Sequence, residues 1–349
     1  MLQIVWHSLF GAWERRLASA TTDRVVRPFE WGLDWIPQNG NRVDPAAEQI
    51  GEWVLQVMKN TDEFFTPPPT RDYALTARSA TGDRTLTFPS AFPTPHRENN
   101  TVYARYFQAR TKAPRAAVLV LPQWNADDDG HVGLCRLLTW SGLSALRLSL
   151  PYHHRRMPPE LHRADYIVSS NVARTVQVCR QAVLDARRAI AWLASEGYER
   201  IGILGTSLGS CLALLTTAHE PLVRAEALNH ISPHFADVVW RGLSTEHVRQ
   251  GLDGNVDLDR LRALWKPISP RWYLERLRDR QTLLVYARYD LTFPVDLSED
   301  LVREFEDLRI PHEVVVLPCG HYSTGRAPFK YLDGWILTRF LKRALVDRP

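Results

Sequence analysis

"RIGILGTSLGSCLALL", residues 200–215, sets one serine between two glycines directly after a short apolar run. The run "RIGILG" (200–205) has the length and apolar character of a buried strand, and "SLGSCLALLTTA" (207–218) reads as a helix. Gly205-Thr206-Ser207-Leu208-Gly209 is therefore a G-x-S-x-G pattern at a strand-to-helix turn. Flanking glycines let the backbone take a strained turn without Cβ clashes, so the serine hydroxyl projects above the sheet at the positive end of the helix. The plainer reading is a glycine-rich connection with a serine cap. The surrounding sequence has to decide between them.

Outward from this turn, strands and helices alternate. "AAVLVL" (116–121) is a continuous apolar run suited to a strand buried on both faces, and "LSALRLSL" (143–150) is a second. Val172, Val176, Cys179, Val183, Ala186, Ile190 and Leu193 recur at steps of four and three. They mark one helix, opened by Ser170 or Asn171 and closed near Gly197. "AEALNHI" (225–231), "TLLVYA" (282–287) and "EVVVLP" (313–318) complete the strands, with helices at 297–308 and 329–344. The expected fold class is α/β, with a mostly parallel central sheet covered by helices on both faces. Residues 1–70 read as a helical N-terminal extension ending at "TPPPT", and 71–349 as the main domain. Residues 233–280 are too long for a plain crossover and are expected to pack over the carboxyl edge of the sheet as a helical cap insertion.

The 349 residues are 45% hydrophobic and 23% charged, as in ordinary globular proteins. A net charge of +4 is small for this size and predicts no nucleic-acid partner. No run of eighteen apolar residues predicts a transmembrane segment, and the N-terminus has no basic leader or cleavage site of a secretory signal. Cys135, Cys179, Cys211 and Cys319 lack metal-ligand spacing, which fits free thiols in a reducing cytoplasm. Five of the twelve tryptophans fall in the first 53 residues. Leu2, Val5, Leu9, Trp13 and Leu17 would form one apolar helical face there, packed on the core or a second subunit, or resting on a membrane surface.

A serine becomes a nucleophile only when a base takes its proton, and an imidazole base needs a third group to orient it. In the order Ser, acid, His, the candidates are Ser207, Asp290 after the strand 282–287, and His321 after the strand 313–318. All three belong at the carboxyl edge, where ligands bind in open α/β sheets. Asp296 with Glu299 reads instead as a helix start, and His312 falls at the opposite edge. Consecutive aspartates 127–129 diverge too much to bind a metal, and no cofactor is expected. Oxyanion stabilisation requires two N–H donors: Leu208, directly after the serine, and one from the loop "LPQWNADDDGH" (121–131).

With these residues in place, the chain from about residue 85 onward resembles the α/β-hydrolase superfamily. Its "WNADDDG" loop is similar to those of acetyl-ester and dienelactone hydrolases. By position in that family, Trp124 supplies the second oxyanion N–H, with Gln123 as the alternative. The usual His-Gly of that loop is replaced here by Pro122-Gln123. A narrower resemblance, over "LPYHHRRMPPELHRADYIVSSN" (150–171) and the helix and elbow that follow, is to the branch called α/β-hydrolase domain-containing protein eighteen. Ser210 here replaces a glycine usual in that branch.

The run His153-His154-Arg155-Arg156 follows a strand on the active edge. It reads either as a solvated basic turn or as a site for an anionic substrate group, with Arg155 or Arg156 on a carboxylate or phosphate. Asp127–Asp129 on the neighbouring loop would pair with those arginines or cap the next helix. His230 could line the same cleft, and Cys319 reads as a packed small residue. The expected activity is serine esterase chemistry on a small acyl ester. A peptidase, lactonase or lipid deacylase with the same triad, or a silent binding protein on the same fold, are the alternatives. The partners this reading allows are a small-molecule acyl ester and, at the first helix, a second copy of the chain in a homo-oligomer.

Overall fold

The apolar runs of the sequence become one sheet in the computed structural model, which describes residues 2–37, 45–79, 82–110 and 115–347, with side chains in the first helix from Trp6 onward. Its strands are β1 (Ala74–Leu75), β2 (Arg84–Pro89), β3 (Thr101–Phe107), β4 (Ala116–Leu121), β5 (Ser144–Leu148), β6 (Arg200–Thr206), β7 (Val223–Asn229), β8 (Gln281–Ala287) and β9 (His312–Leu317). They lie in the spatial order β1-β2-β3-β5-β4-β6-β7-β8-β9. The β1-β2-β3-β5 contacts are antiparallel, and those from β5 to β9 are parallel.

Side-chain alternation along β4 shows how the sheet is covered, because successive residues point to opposite faces. Ala117, Leu119 and Leu121 join a core with α5 (Val172–Ser195) and α6 (Leu208–His219). Val118 and Val120 join a second core with α4 (Val132–Trp140) and α12 (Phe329–Lys342). All six β4 residues are buried, which is why the sequence shows a continuous apolar run there. The long helix α5 begins at Asn171, whose side chain accepts the Arg174 N–H at 3.0 Å. The chain leaves it through Gly197 at φ +79°, a conformation that suits glycine.

The N-terminal residues do not stand apart from this core. Ile50, Val54 and Val57 of α2 (Ala46–Lys59) share the larger core with Trp35, Phe64 and Phe65, the last two at and just beyond α3 (Thr61–Phe64). The face expected for the first helix, α1 (Leu2–Ser19), is not the one that packs. Leu9 is 56% exposed, whereas Gly11, Glu14 and Ala18 are buried. The side chains of Leu2 and Val5 lie outside the described residues.

The insertion after β7 forms α7 (Phe235–Arg241), α8 (Glu246–Leu252) and α9 (Leu258–Leu264), followed by 3-10 turns over Lys266–Ile268 and Pro270–Leu277. Only its first part lies above the carboxyl edge. Phe235, Val238 and Val239 line the cavity there, while later pieces pack against α2, α5 and α6. Trp265 anchors that second part, its indole N–H donating to the Val172 carbonyl at 3.0 Å. The remaining helices are α10 (Val295–Asp307) and α11 (His321–Thr324). No helix among the described residues is long and apolar enough to cross a membrane.

Candidate active site

Ser207 stands at the end of β6 with φ 57° and ψ −121°, a conformation that L residues rarely adopt. Neighbouring backbone holds it there. Its N–H donates to the Asn229 carbonyl of β7 at 2.8 Å. A Cβ on Gly205 would lie 2.2 Å from the Gly209 carbonyl oxygen, and one on Gly209 would lie 2.2 Å from that of Leu121. Both glycines are required by close backbone approach rather than by their own φ. Ser210 ties the turn to the end of β7, its hydroxyl lying 2.6 Å from the Ser207 carbonyl and 2.7 Å from that of His230.

The loops after β8 and β9 bring a carboxylate and an imidazole to the same edge. Asp290 Oδ1 accepts the Thr292 and Phe293 N–H groups at 2.8 and 2.7 Å. Its Oδ2 accepts two imidazole N–H groups, from Nδ1 of His321 and Nδ1 of His230, each at 2.9 Å. The Phe293 ring stacks on His321 with centroids 5.5 Å apart, fixing the plane of the imidazole. With Nδ1 engaged, Nε2 of His321 is the nitrogen left to act as base. His321 and Ser207 line one cavity, and the Ser207 hydroxyl has no hydrogen-bond partner among the described residues.

Burial alone would raise the Asp290 pKa, but the His321 charge and the two imidazole hydrogen bonds hold it well below the ordinary carboxylate range. For His321, burial disfavours the imidazolium, yet Asp290 outweighs it and raises the pKa above 6.5. His230 goes the other way, lowered by burial and then by the neighbouring His321. Of the two imidazoles on one carboxylate, His321 is thus the one suited to carry the proton. These three residues also form the one group of potential metal ligands among the described residues. Their 2.9 Å N···O separations are hydrogen-bond distances, shorter than the roughly 3.4 Å between ligands of one tetrahedral ion at about 2.1 Å.

The loop after β4 lies directly against the start of α6, as the Gly209–Leu121 approach shows. Leu208, the first residue of α6, has no intrahelical acceptor for its N–H. The N–H groups of Gln123 and Trp124 carry no backbone hydrogen bond among the described residues, and both residues line the cavity. Asn125 is different. Its N–H donates to Nε2 of His153 at 2.9 Å, and its Oδ1 accepts the Ala164 N–H at 2.8 Å.

His153 is therefore a strut of this loop rather than a free substrate ligand. Its Nδ1 donates to the Pro151 carbonyl at 2.9 Å, and burial pulls its pKa down to about 3, so it stays neutral. The arginines of "HHRR" require a stronger correction. Arg156 is fully buried and donates to Asp185 Oδ2 at 2.8 Å and to the Asn99 and Ser149 carbonyls. Arg155 points away from the cavity, its guanidinium 5.6 Å from the centre of the Tyr103 ring. Neither lines the cavity beside Ser207: the 3-10 turn over His154–Arg156 rotates successive side chains by about 120°, which sends Arg156 inward to Asp185 and Arg155 out over Tyr103. His154 does line the cavity, with a buried Nε2 that has no hydrogen-bond partner among the described residues. Asp127–Asp129 pair with neither Arg155 nor Arg156. Arg105 donates to the Asp128 carbonyl and Asp129 carboxylate, and Arg147 to the Asp127 carbonyl. Cys319 is buried beside Thr324 and its thiol is pushed up to about 12 by burial, which suits a packed residue. His230, expected in the cavity wall, lines it and in addition touches the acid directly, a role nothing in its local sequence signals.

The cavity has a volume of about 1420 Å³ and is open to solvent. Trp124, Met157, Phe235, Val239 and Phe293 give it apolar walls beside Ser207.

A parallel sheet wrapped by helices, with a strained serine after its central strand and an acid and histidine after the two outer ones, is an α/β-hydrolase fold. Solved structures agree. The chain superposes on an acetyl xylan esterase from a Paenibacillus species with a TM-score of 0.61 and 14% identity, covering 89% of this chain and 98% of that one. For acetyl xylan esterase 1 from a Thermoanaerobacterium species the TM-score is 0.59 at 12% identity, covering 93% and 98%. The acylaminoacyl peptidase of Pyrococcus horikoshii gives 0.59 at 13% identity, covering 80% of this chain but only 43% of that one. No protein family model and no curated protein sequence matches the chain. The likeness is one of fold.

Proposed function

We propose that the protein is a serine hydrolase that cleaves a carboxylic ester through an acyl-enzyme on Ser207. The observation that carries this reading is the Asp290–His321 hydrogen bond at 2.9 Å, on the cavity that also holds Ser207 in its strained turn. Ser207 Oγ attacks the ester carbonyl carbon while its proton passes to His321 Nε2. Asp290 holds the imidazole in the Nδ1–H tautomer and balances its positive charge. The Leu208 N–H and that of Trp124 or Gln123 stabilise the oxyanion. As the tetrahedral intermediate collapses, the C–O bond to the leaving group breaks and His321 protonates the departing oxygen. Water, deprotonated by His321, then releases the acid and restores Ser207. The large apolar-walled cavity accommodates an organic acyl or leaving group, and four buried free cysteines suit a reducing compartment.

A fluorophosphonate probe should label the wild type and fail to label Ser207→Ala, and p-nitrophenyl esters of rising chain length should define the acyl preference. Absence of labelling at every pH between about 6 and 9, a span reaching well above the ordinary imidazole range, would overturn the assignment. Labelling with peptide but not ester turnover would move the activity to amide bonds.

A further inference from the structure

The first helix reaches the two loops that carry the acid and the base. Phe10 stacks on Tyr289, beside Asp290, with ring centroids 4.4 Å apart and planes within 7°. One turn further, Glu14 is fully buried. Its Oε2 accepts the Tyr322 N–H at 2.8 Å and its Oε1 the Ser323 N–H at 2.9 Å, the two residues that follow His321. A Cβ on Gly320, the residue before His321, would fall 2.3 Å from the Glu14 carboxyl carbon, so the loop is cut to fit this side chain. Among the described residues no arginine or lysine forms an ion pair with Glu14.

We propose that Glu14 is a positioning residue for His321: its carboxylate fixes the histidine loop and favours the imidazolium that forms as Ser207 gives up its proton. A buried carboxylate without a cation costs stability, and the two N–H donors offset only part of that cost. Here the residue that becomes positive during the reaction stands on the loop that Glu14 holds, one position before its first donor, so the charge is worth most in the transition state. The titratable and charged groups around His321 fit this account. Asp290 faces it from the loop after β8 and His230 from the end of β7. Tyr322 is adjacent and holds Arg24 on its hydroxyl at 2.8 Å, and Glu14 arrives from α1. Of these, Asp290 and Glu14 are the ones that raise the His321 pKa.

The inference rests on the serine-hydrolase reading, and Glu14→Gln tests it. The amide keeps the shape, removes the charge and sets an NH2 group against one of the two N–H donors. On an ester substrate kcat should fall about 10- to 100-fold with KM held within about twofold, as expected for a displaced base. The acid limb of kcat/KM should move to lower pH, because the negative charge that favours the imidazolium is gone. Gly320→Ala, which pushes the carboxylate off its donors from the other side, should lower kcat likewise. The double variant should then be less impaired than the product of the two effects. Arg15→Ala, on the exposed face of the same helix, is the control expected to match the wild type.

His321 titration by NMR, assigned by difference with His321→Gln, gives a readout that needs no turnover. Its pKa should be lower in folded Glu14→Gln than in the wild type. An unchanged titration together with unchanged kcat in the folded variant overturns the role of Glu14. Failure of the fluorophosphonate to label wild-type Ser207 overturns the hydrolase reading instead, and the titration then still decides whether Glu14 sets the histidine.

Discussion

Arg156 offers the sharpest separation between a substrate ligand and a structural residue. Replacing it with alanine removes four hydrogen bonds: one to Asp185 Oδ2 at 2.8 Å, two to the Asn99 carbonyl at 2.9 and 3.2 Å, and one to the Ser149 carbonyl at 3.0 Å. Asp185, itself fully buried, keeps the Ser90 hydroxyl and Ala91 N–H on Oδ1 but loses its cation. Breaking one side of a buried pair in this way costs about 3–5 kcal/mol. An unfolding entropy of about 2.1 cal/mol/K per residue gives roughly 0.7 kcal/mol/K for a chain of this length, so the melting temperature should drop by about 4–7 °C. Differential scanning calorimetry measures that drop. KM values for paired neutral and anionic esters, taken below the transition, should stay together. Arg156→Met combined with Asp185→Leu should recover most of the stability, since neither charge is then left alone. An unchanged melting temperature with KM raised only for the anionic ester would refute the reasoning and return Arg156 to the substrate.

Asp290→Asn should leave the fold intact but lower kcat by about 10⁴, because the amide no longer enforces the Nδ1–H tautomer of His321. Steady-state kinetics with a p-nitrophenyl ester check it, and a loss under tenfold would remove Asp290 from the triad. Gly209→Ala should abolish labelling and strongly destabilise the protein, since the new Cβ meets two backbone carbonyls at 2.2 and 2.5 Å, as thermal unfolding would reveal. Glu226 is buried in β7 with one oxygen unpartnered, and burial pushes its carboxyl up from 4.5 to about 8. Its folded pKa is raised, so stability present below about pH 4.5 is lost as pH rises through about 8. Glu226→Gln should flatten that decline in a urea midpoint series, and identical curves for both proteins would contradict it.

Local sequence carried much of the architecture because the determining signals are local. Continuous apolar runs announce strands buried on both faces, and the three-and-four spacing of 172–193 announces a helix, although α5 is buried almost all round and takes Gln177, Gln181 and Asp185 inside with its apolar face. The order of Ser207, Asp290 and His321, each just after a strand, is likewise readable, since a parallel sheet delivers every strand end to one edge. The "HHRR" run shows the limit. Composition distinguishes a basic turn from an apolar one, but not Arg156, which turns inward to Asp185 twenty-nine positions on, from Arg155, which turns outward over Tyr103.

The same limit governs the first helix. Its apolar residues suggested a face containing Leu9, yet the structure buries Gly11, Glu14 and Ala18, because the partner surface is the His321 loop, about 308 positions on, which offers N–H donors. Short-range sterics and periodicity set the α/β order of elements and the strained turn at Ser207. Which charges meet follows from the assembled fold: His230 on Asp290, Arg156 on Asp185, Glu14 on the histidine loop. Those pairings depend on distances across the fold, and no local pattern of residues encodes them.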